Sequence, residues 1–223
     1  MYEDLVGKSA EMAVKTFLEM DGYKVMPYGV EYALRTGISM TQKQYVALSL
    51  PSQIRRTPDF LVLSPKCEYW RLLEVKYRSH WDENTRNQLK KSLAEQASSW
   101  GMVHVAIGLK EPFGDKAGAD SQVRIGQIFM EDKQLCVLCC NDAGAKKWDD
   151  VEWGDLGLLT ESFPECCGNK YAASRFRELA YYFANLPKRF DDEILTKEVM
   201  SEIWDDMSGK KTKAASRPEK PSS

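Results

Sequence analysis

Three charged residues near the middle of the chain are placed where they could do chemistry: Asp59, Glu74 and Lys76. They fall in two apolar runs, Thr57-Pro58-Asp59-Phe60-Leu61-Val62-Leu63 and Tyr69-Trp70-Arg71-Leu72-Leu73-Glu74-Val75-Lys76, separated by a Ser64-Pro65-Lys66 break. Positions 59 and 74 are symmetric about a point between Lys66 and Cys67, inside that break. Antiparallel pairing about the turn makes the two carboxylates opposite neighbours, with Cβ atoms roughly 4.5–5.5 Å apart. Alternation along a strand puts Lys76 on the same side as Glu74 and turns Val75 away. Leu61, Leu63 and Leu72 share that face, so the charges sit among apolar side chains. Two carboxylates facing each other there repel, and one has its pKa raised. A divalent cation, Mg²⁺ or Mn²⁺, relieves the conflict, with water and a substrate phosphate completing its shell. Such an ion polarises a phosphoryl oxygen and helps to generate hydroxide, while Lys76 orients or activates the water or stabilises developing charge. A solvated hairpin carrying plain cross-strand ion pairs would alternate apolar and polar residues. These strands are apolar on both faces, as strands covered on both sides are.

The elements that must position this set can be read around it. An amphipathic helix is predicted over about Tyr2 to Met20, with Leu5, Val6, Met12, Ala13, Phe17 and Leu18 at three- and four-residue spacing and Gly22 as the stop. A short strand follows at Tyr23 to Met26. Gly29 to Gln53 shows no single period and reads as a partly helical insertion. After the hairpin, Asp82 is a candidate N-cap for a helix ending at Trp100, with Gly101 as its stop. Val103 to Ile107, Val123 to Met130 and Gln134 to Cys140 read as strands, the last two joined through Glu131-Asp132-Lys133 as a hairpin. From Asn141 the texture becomes a Trp/Asp/Gly-rich loop. Two further helices are predicted, Tyr171 to Leu186 and Asp191 to Met207. The Lys/Ser/Pro/Ala-rich stretch from 208 carries no residue able to build a core.

The Pro58-Asp59 and Glu74-Val75-Lys76 pattern, preceded by a helix carrying Gly7 and Glu11, resembles the PD-(D/E)XK superfamily of restriction-endonuclease-like nucleases. The resemblance implies an α/β, restriction-endonuclease-like αβα core, with a central mixed sheet flanked by helices in the order helix, strands, helix, strand. Asp59 and Glu74 would then be metal ligands, the Val75 carbonyl would complete the site, and Lys76 would be the catalytic lysine. Glu11, in Gly7-Lys8-Ser9-Ala10-Glu11, looks like the acidic residue that many members place near the metal, in a context similar to archaeal Holliday-junction resolvases. Gln96 and Trp100 resemble the Q-x-x-x-Y helix motif of RecB-like members, with Trp in place of Tyr. On this reading residues 1–145 form the nuclease core, 146–207 a C-terminal helical extension packing on the core or a partner, and 208–223 a disordered basic tail.

Charge distribution agrees with a polyanionic partner. The formal net charge is −2, yet residues 53–91 carry nine Lys/Arg against five Asp/Glu, and residues 141–207 carry eight against fifteen. Arg55, Arg56, Arg78 and Lys90, with Arg86 and Lys91, flank the Asp–Glu–Lys set and are candidate phosphate contacts. The acidic C-terminal helices are a candidate surface for a protein partner or a second copy. No apolar run approaches a membrane span, and the acidic start lacks a signal-peptide pattern, so an intracellular, cytoplasmic location is expected. The six cysteines read as thiols rather than as disulfides, and Cys136-x-x-Cys139-Cys140 and Cys166-Cys167 as buried thiols rather than as a metal cluster. His80 and His104 are isolated and read as ordinary residues. The function expected is therefore divalent-metal-dependent hydrolysis of DNA phosphodiester bonds, endonucleolytic rather than exonucleolytic. The alternative is a catalytically inactive module of the same fold that binds nucleic acid or a protein partner.

Overall fold

The computed structural model describes residues 2–29, 48, 50–51, 54, 56–111, 113–114, 122–140, 144–163, 177–183 and 185. Helix α1 (Tyr2–Met20) opens the chain. Val6, Ala10, Val14, Phe17 and Leu18 recur on one face and are buried, as a 3.6-residue period requires. Gly22, at φ +86°, ends it, and strand β1 (Lys24–Pro27) follows. The central hairpin is β2 (Phe60–Leu63) and β3 (Trp70–Arg78), antiparallel with Phe60 opposite Leu73 and Leu63 opposite Trp70. Ser64 fixes its turn: the side-chain oxygen accepts from the amides of Glu68 (3.0 Å) and Tyr69 (3.3 Å), while its carbonyl accepts from Cys67. Cys67 takes a left-handed φ of 59°.

Helix α2 (Glu83–Trp100) crosses back over the sheet, its start capped by the Asp82 carboxylate on the Thr85 amide at 2.7 Å and its end released by Gly101. The crossover brings β4 (Val103–Leu109) parallel to β3, with Glu74 beside Val105 and Lys76 beside Ile107. Strands β5 (Val123–Glu131), β6 (Gln134–Leu138) and β7 (Ala145–Lys147) then pair antiparallel in sequence order. Asp132 and Lys133 both take positive φ in the two-residue β5–β6 turn. The seven strands form one mixed sheet in the order β1 to β7.

Apolar clusters cover the sheet. One joins α1 to Phe60, Val62, Leu73, Val75 and Ala106, and also takes in Leu159, Phe163, Leu179 and Phe183. The other joins α2, through Leu89, Leu93 and Ala97, to Leu72, Val105, Ile107 and Val137, closed by Trp81, Trp148 and Trp153. Short 3-10 turns at Trp148–Asp150 and Trp153–Asp155 and a one-turn helix α3 (Leu159–Ser162) bring those residues in. The class is thus α/β with a mixed sheet flanked by helices, as expected.

Several boundaries shift. The predicted strand 57–63 loses its first three residues, because Asp59 forms a bend tied to β1 and β3 rather than a ladder position. Strand β7 spans the expected 145/146 boundary, and the Trp148–Phe163 segment is core rather than open loop. Cys136 and Cys139 are buried thiols as expected, whereas Cys67 and Cys140 are exposed. The insertion after Gly29, residue Arg55, Cys166-Cys167, the helix expected at 191–207 and the tail lie outside the described residues, apart from isolated positions at 48, 50–51 and 54. Of the predicted 171–186 helix, residues 177–183 and 185 are described as helical, with Leu179, Ala180 and Phe183 buried. Phe183 sits over Gly108, where an added Cβ would come within 2.2 Å of its ring. It also stacks on Tyr77 at 5.6 Å and accepts the Tyr77 hydroxyl on its carbonyl at 2.9 Å. Among the described residues no helix is long and apolar enough to cross a membrane.

Candidate functional site

Continuing the β2–β3 register one step past the Phe60–Leu73 pair brings Asp59 opposite Glu74, as the turn symmetry predicts. The two residues are interlocked. The Asp59 amide donates to Glu74 Oε2 at 3.2 Å, and Asp59 Oδ2 accepts from the Val75 amide at 2.8 Å. The Asp59 carbonyl takes the Tyr28 amide (2.9 Å) and the Gly29 amide (3.4 Å), so β1, the bend and β3 fix one another. Glu74 is buried, and Lys76 Nζ donates to its Oε1. Gln96 projects from α2 into the same place: buried, it donates from Nε2 to Glu74 Oε2 at 2.6 Å. Its Oε1 is buried with no partner.

The electrostatics are those of crowded acids. Burial, then the charges of Glu74 and Glu11, push the Asp59 carboxyl well above the usual aspartate range. Burial also raises Glu11, against the pull of Lys8, with which it pairs at 2.8 Å. Burial opposes charge on Lys76 too, but Glu74 and Asp59 outweigh it and leave the ammonium more firmly protonated than a free lysine. Glu11, on the facing helix, is therefore close enough to Asp59, Glu74 and Lys76 for their charges to act on one another. Its pairing with Lys8 is a neighbour the sequence reading did not single out.

Most flanking basic residues are otherwise engaged. Arg56 pairs with Glu95 at 2.9 Å, and its carbonyl takes the Trp100 indole N–H at 3.1 Å. Lys90 pairs with Asp149 at 2.5 Å, facing the Trp148 turn rather than the acids. The Arg78 guanidinium turns back to the Tyr77 carbonyl at 2.7 Å, and its charge reaches Lys76. At Val75 the amide is taken by the Asp59 carboxylate.

His104 carries more structure than its reading as an ordinary residue implied. It is buried on β4, and burial followed by the Arg71 charge lowers its pKa to about 4 against the pull of the Leu72 backbone. No spacing signal marks it, because its partners come from distant strands.

Among the described residues no group of three His, Cys, Asp or Glu side chains is gathered to hold a metal ion. Mg²⁺ asks for less, one or two carboxylates with water and substrate phosphate, and the destabilised Asp59 beside Glu74 fits that requirement. The site accordingly defines the chain as an α/β protein with a buried acid–lysine cluster at the bend before its central hairpin. No family model, curated protein or solved structure matches the chain.

Proposed function

We propose that this chain is a divalent-metal-dependent nuclease that hydrolyses DNA phosphodiester bonds, acting as an endonuclease on a restriction-endonuclease-like core. The carrying observation is the Asp59–Glu74 interlock, in which burial and mutual repulsion raise the Asp59 carboxyl while Lys76 stays charged beside it. Such a cluster is costly unless a cation uses it. The order α1, β1–β3, α2, β4, with β3 and β4 parallel, is the order that the superfamily resemblance implies.

Asp59 and Glu74 would hold Mg²⁺ or Mn²⁺, with Glu11 nearby and Gln96 steadying Glu74. Once bound, the ion would polarise a phosphoryl oxygen and acidify a water. Lys76, kept protonated by the two acids, acts as a charge donor to the phosphate in the transition state rather than as a base. Gln96 holds Glu74 in one rotamer through the 2.6 Å bond, so the carboxylate needs no reorganisation on substrate binding.

One observation favours a second reading. Both Glu74 oxygens already accept hydrogen bonds, from Lys76, Gln96 and Asp59. A closed network of this kind suits an inactive module that binds nucleic acid or protein. Purified protein incubated with supercoiled, linear, single-stranded and branched DNA in Mg²⁺, Mn²⁺ or EDTA decides between them. Metal-dependent cleavage that falls roughly 10²–10³-fold in Lys76→Ala is the expected result. Cleavage unchanged in that variant refutes the site, and absence of both cleavage and millimolar cation binding by calorimetry establishes the inactive module.

A further inference from the structure

An exposed aromatic residue is bonded through its backbone to Asp59, and nothing in the hydrolytic chemistry uses its ring. Tyr28 is 38 % exposed, although its amide is held by the Asp59 carbonyl at 2.9 Å. Its ring meets Trp100 edge to face, with centroids 5.6 Å apart at 73°. Trp100 in turn is pinned through its indole N–H to the Arg56 carbonyl at 3.1 Å. Trp100 follows Gln96 by one helical turn, about 6 Å along α2 at 1.5 Å per residue, and Gln96 touches Glu74. The ring pair is therefore fixed from both sides, by the backbone bond to Asp59 and by the helix that supports Glu74.

A single exposed ring is ordinary on a protein surface, but one carried on a residue bonded to Asp59 offers a nucleobase a face to stack on beside the proposed site. A nucleobase can cover it only if one base face is free, which excludes the interior of an intact duplex, where both faces are stacked. A base stacked on the ring adds affinity to whatever phosphate contacts the chain makes, as in single-strand-binding grooves.

From the Tyr28–Trp100 pair we infer that the substrate is unpaired at the cleavage position: an unpaired base next to the scissile phosphate stacks on the exposed Tyr28 ring, which Trp100 braces. The inference rests on the nuclease reading and narrows its substrate class to single strands, overhangs and frayed or branched ends.

The test uses the full chain in Ca²⁺ in place of Mg²⁺, with a short single strand carrying 2-aminopurine and the matching blunt duplex as probes. Binding is read by anisotropy and stacking by quenching of the 2-aminopurine. The expected result is tighter binding of the single strand, with quenching. Tyr28→Leu should weaken single-strand affinity about tenfold and abolish quenching, given the size of base–aromatic stacking contributions, whereas Tyr28→Phe, which retains the ring, should preserve both. Equal affinity for the two probes, or a Tyr28→Leu protein that still quenches, overturns the inference. Cleavage in Mg²⁺ is measured on the same probes. Metal-dependent cutting without ring dependence removes only the stacking role, while ring-dependent binding without any cutting removes only the nuclease reading.

Discussion

Two aspartates in this molecule each neighbour a lysine, and they have opposite characters. Asp155, in the 3-10 turn after β7, accepts Lys146 Nζ at 2.6 Å on one oxygen and the Glu152 amide at 2.8 Å on the other. Burial works against its charge, but those donors win and hold its carboxyl below the usual range, while Lys146 is raised. Asp59 also has an amide donor and a lysine nearby, yet two other acids share its surroundings and its carboxyl is driven up. The first acid is satisfied by what the fold provides. The second is left in conflict, which makes it the place where the proposed chemistry would sit.

The comparison can be broken most severely at Asp59. Asp59→Asn keeps an acceptor for the Val75 amide but removes the charge, so metal-dependent cleavage should fall by at least roughly 10²-fold. An assay on supercoiled DNA showing wild-type rates would end the distinction. Asp155→Ala should instead leave the cleavage mechanism in place and destabilise the fold by about 1–2 kcal/mol, because it strips an amide and a lysine of their shared acceptor. Thermal unfolding reads this as a drop of several degrees, and an unchanged midpoint would show that the turn does not need the acid.

A smaller effect of the opposite sign is expected from Asp59→Asn in EDTA. Neutralising a destabilised acid should raise stability by about 1 kcal/mol, roughly 2–4 °C for a chain of this size. The pH dependence sharpens the contrast. The raised folded-state pKa of Asp59 gives stability that is complete below its ordinary value of 3.8 and lost as pH climbs through the raised one. The lowered pKa of Asp155 gives stability present above 3.8 and lost as pH falls through the lowered one. In metal-free buffer the gain from Asp59→Asn should therefore widen as pH rises, and the loss from Asp155→Ala should shrink as pH drops to the acid side. Parallel pH curves for both variants would contradict the assignment.

Much of the hairpin was legible because local rules govern it. The Asp59–Glu74 pairing follows from the symmetry of the Ser64-Pro65-Lys66 break, and the Asp82 cap and Gly101 stop follow from short-range hydrogen bonding and φ preferences. Gln96 was visible through its resemblance, and its contact with Glu74 appears once α2 lies over β3. What escaped depends on tertiary partners. Lys90 reads as a flanking cation, but the Trp148 turn, 58 residues further along, brings Asp149 to it. Tyr28 gave no signal, because its neighbour Trp100 and its anchor at Asp59 lie far off in sequence. Cys140 is exposed where burial is expected, because thiol burial is a statistical tendency and this residue follows the end of β6.

The bare patch at Gly108 has a consequence for how short a working version of this chain can be. Phe183 fills the hollow left by that missing side chain and clasps Tyr77, the residue next to Lys76. A version cut back to the last sheet-covering turn at Phe163 would open this hollow to water on β4, directly beside the strand that carries the lysine. A version that keeps this hollow filled must therefore extend to residue 183, so a late stretch of the polypeptide serves as a keystone for its middle.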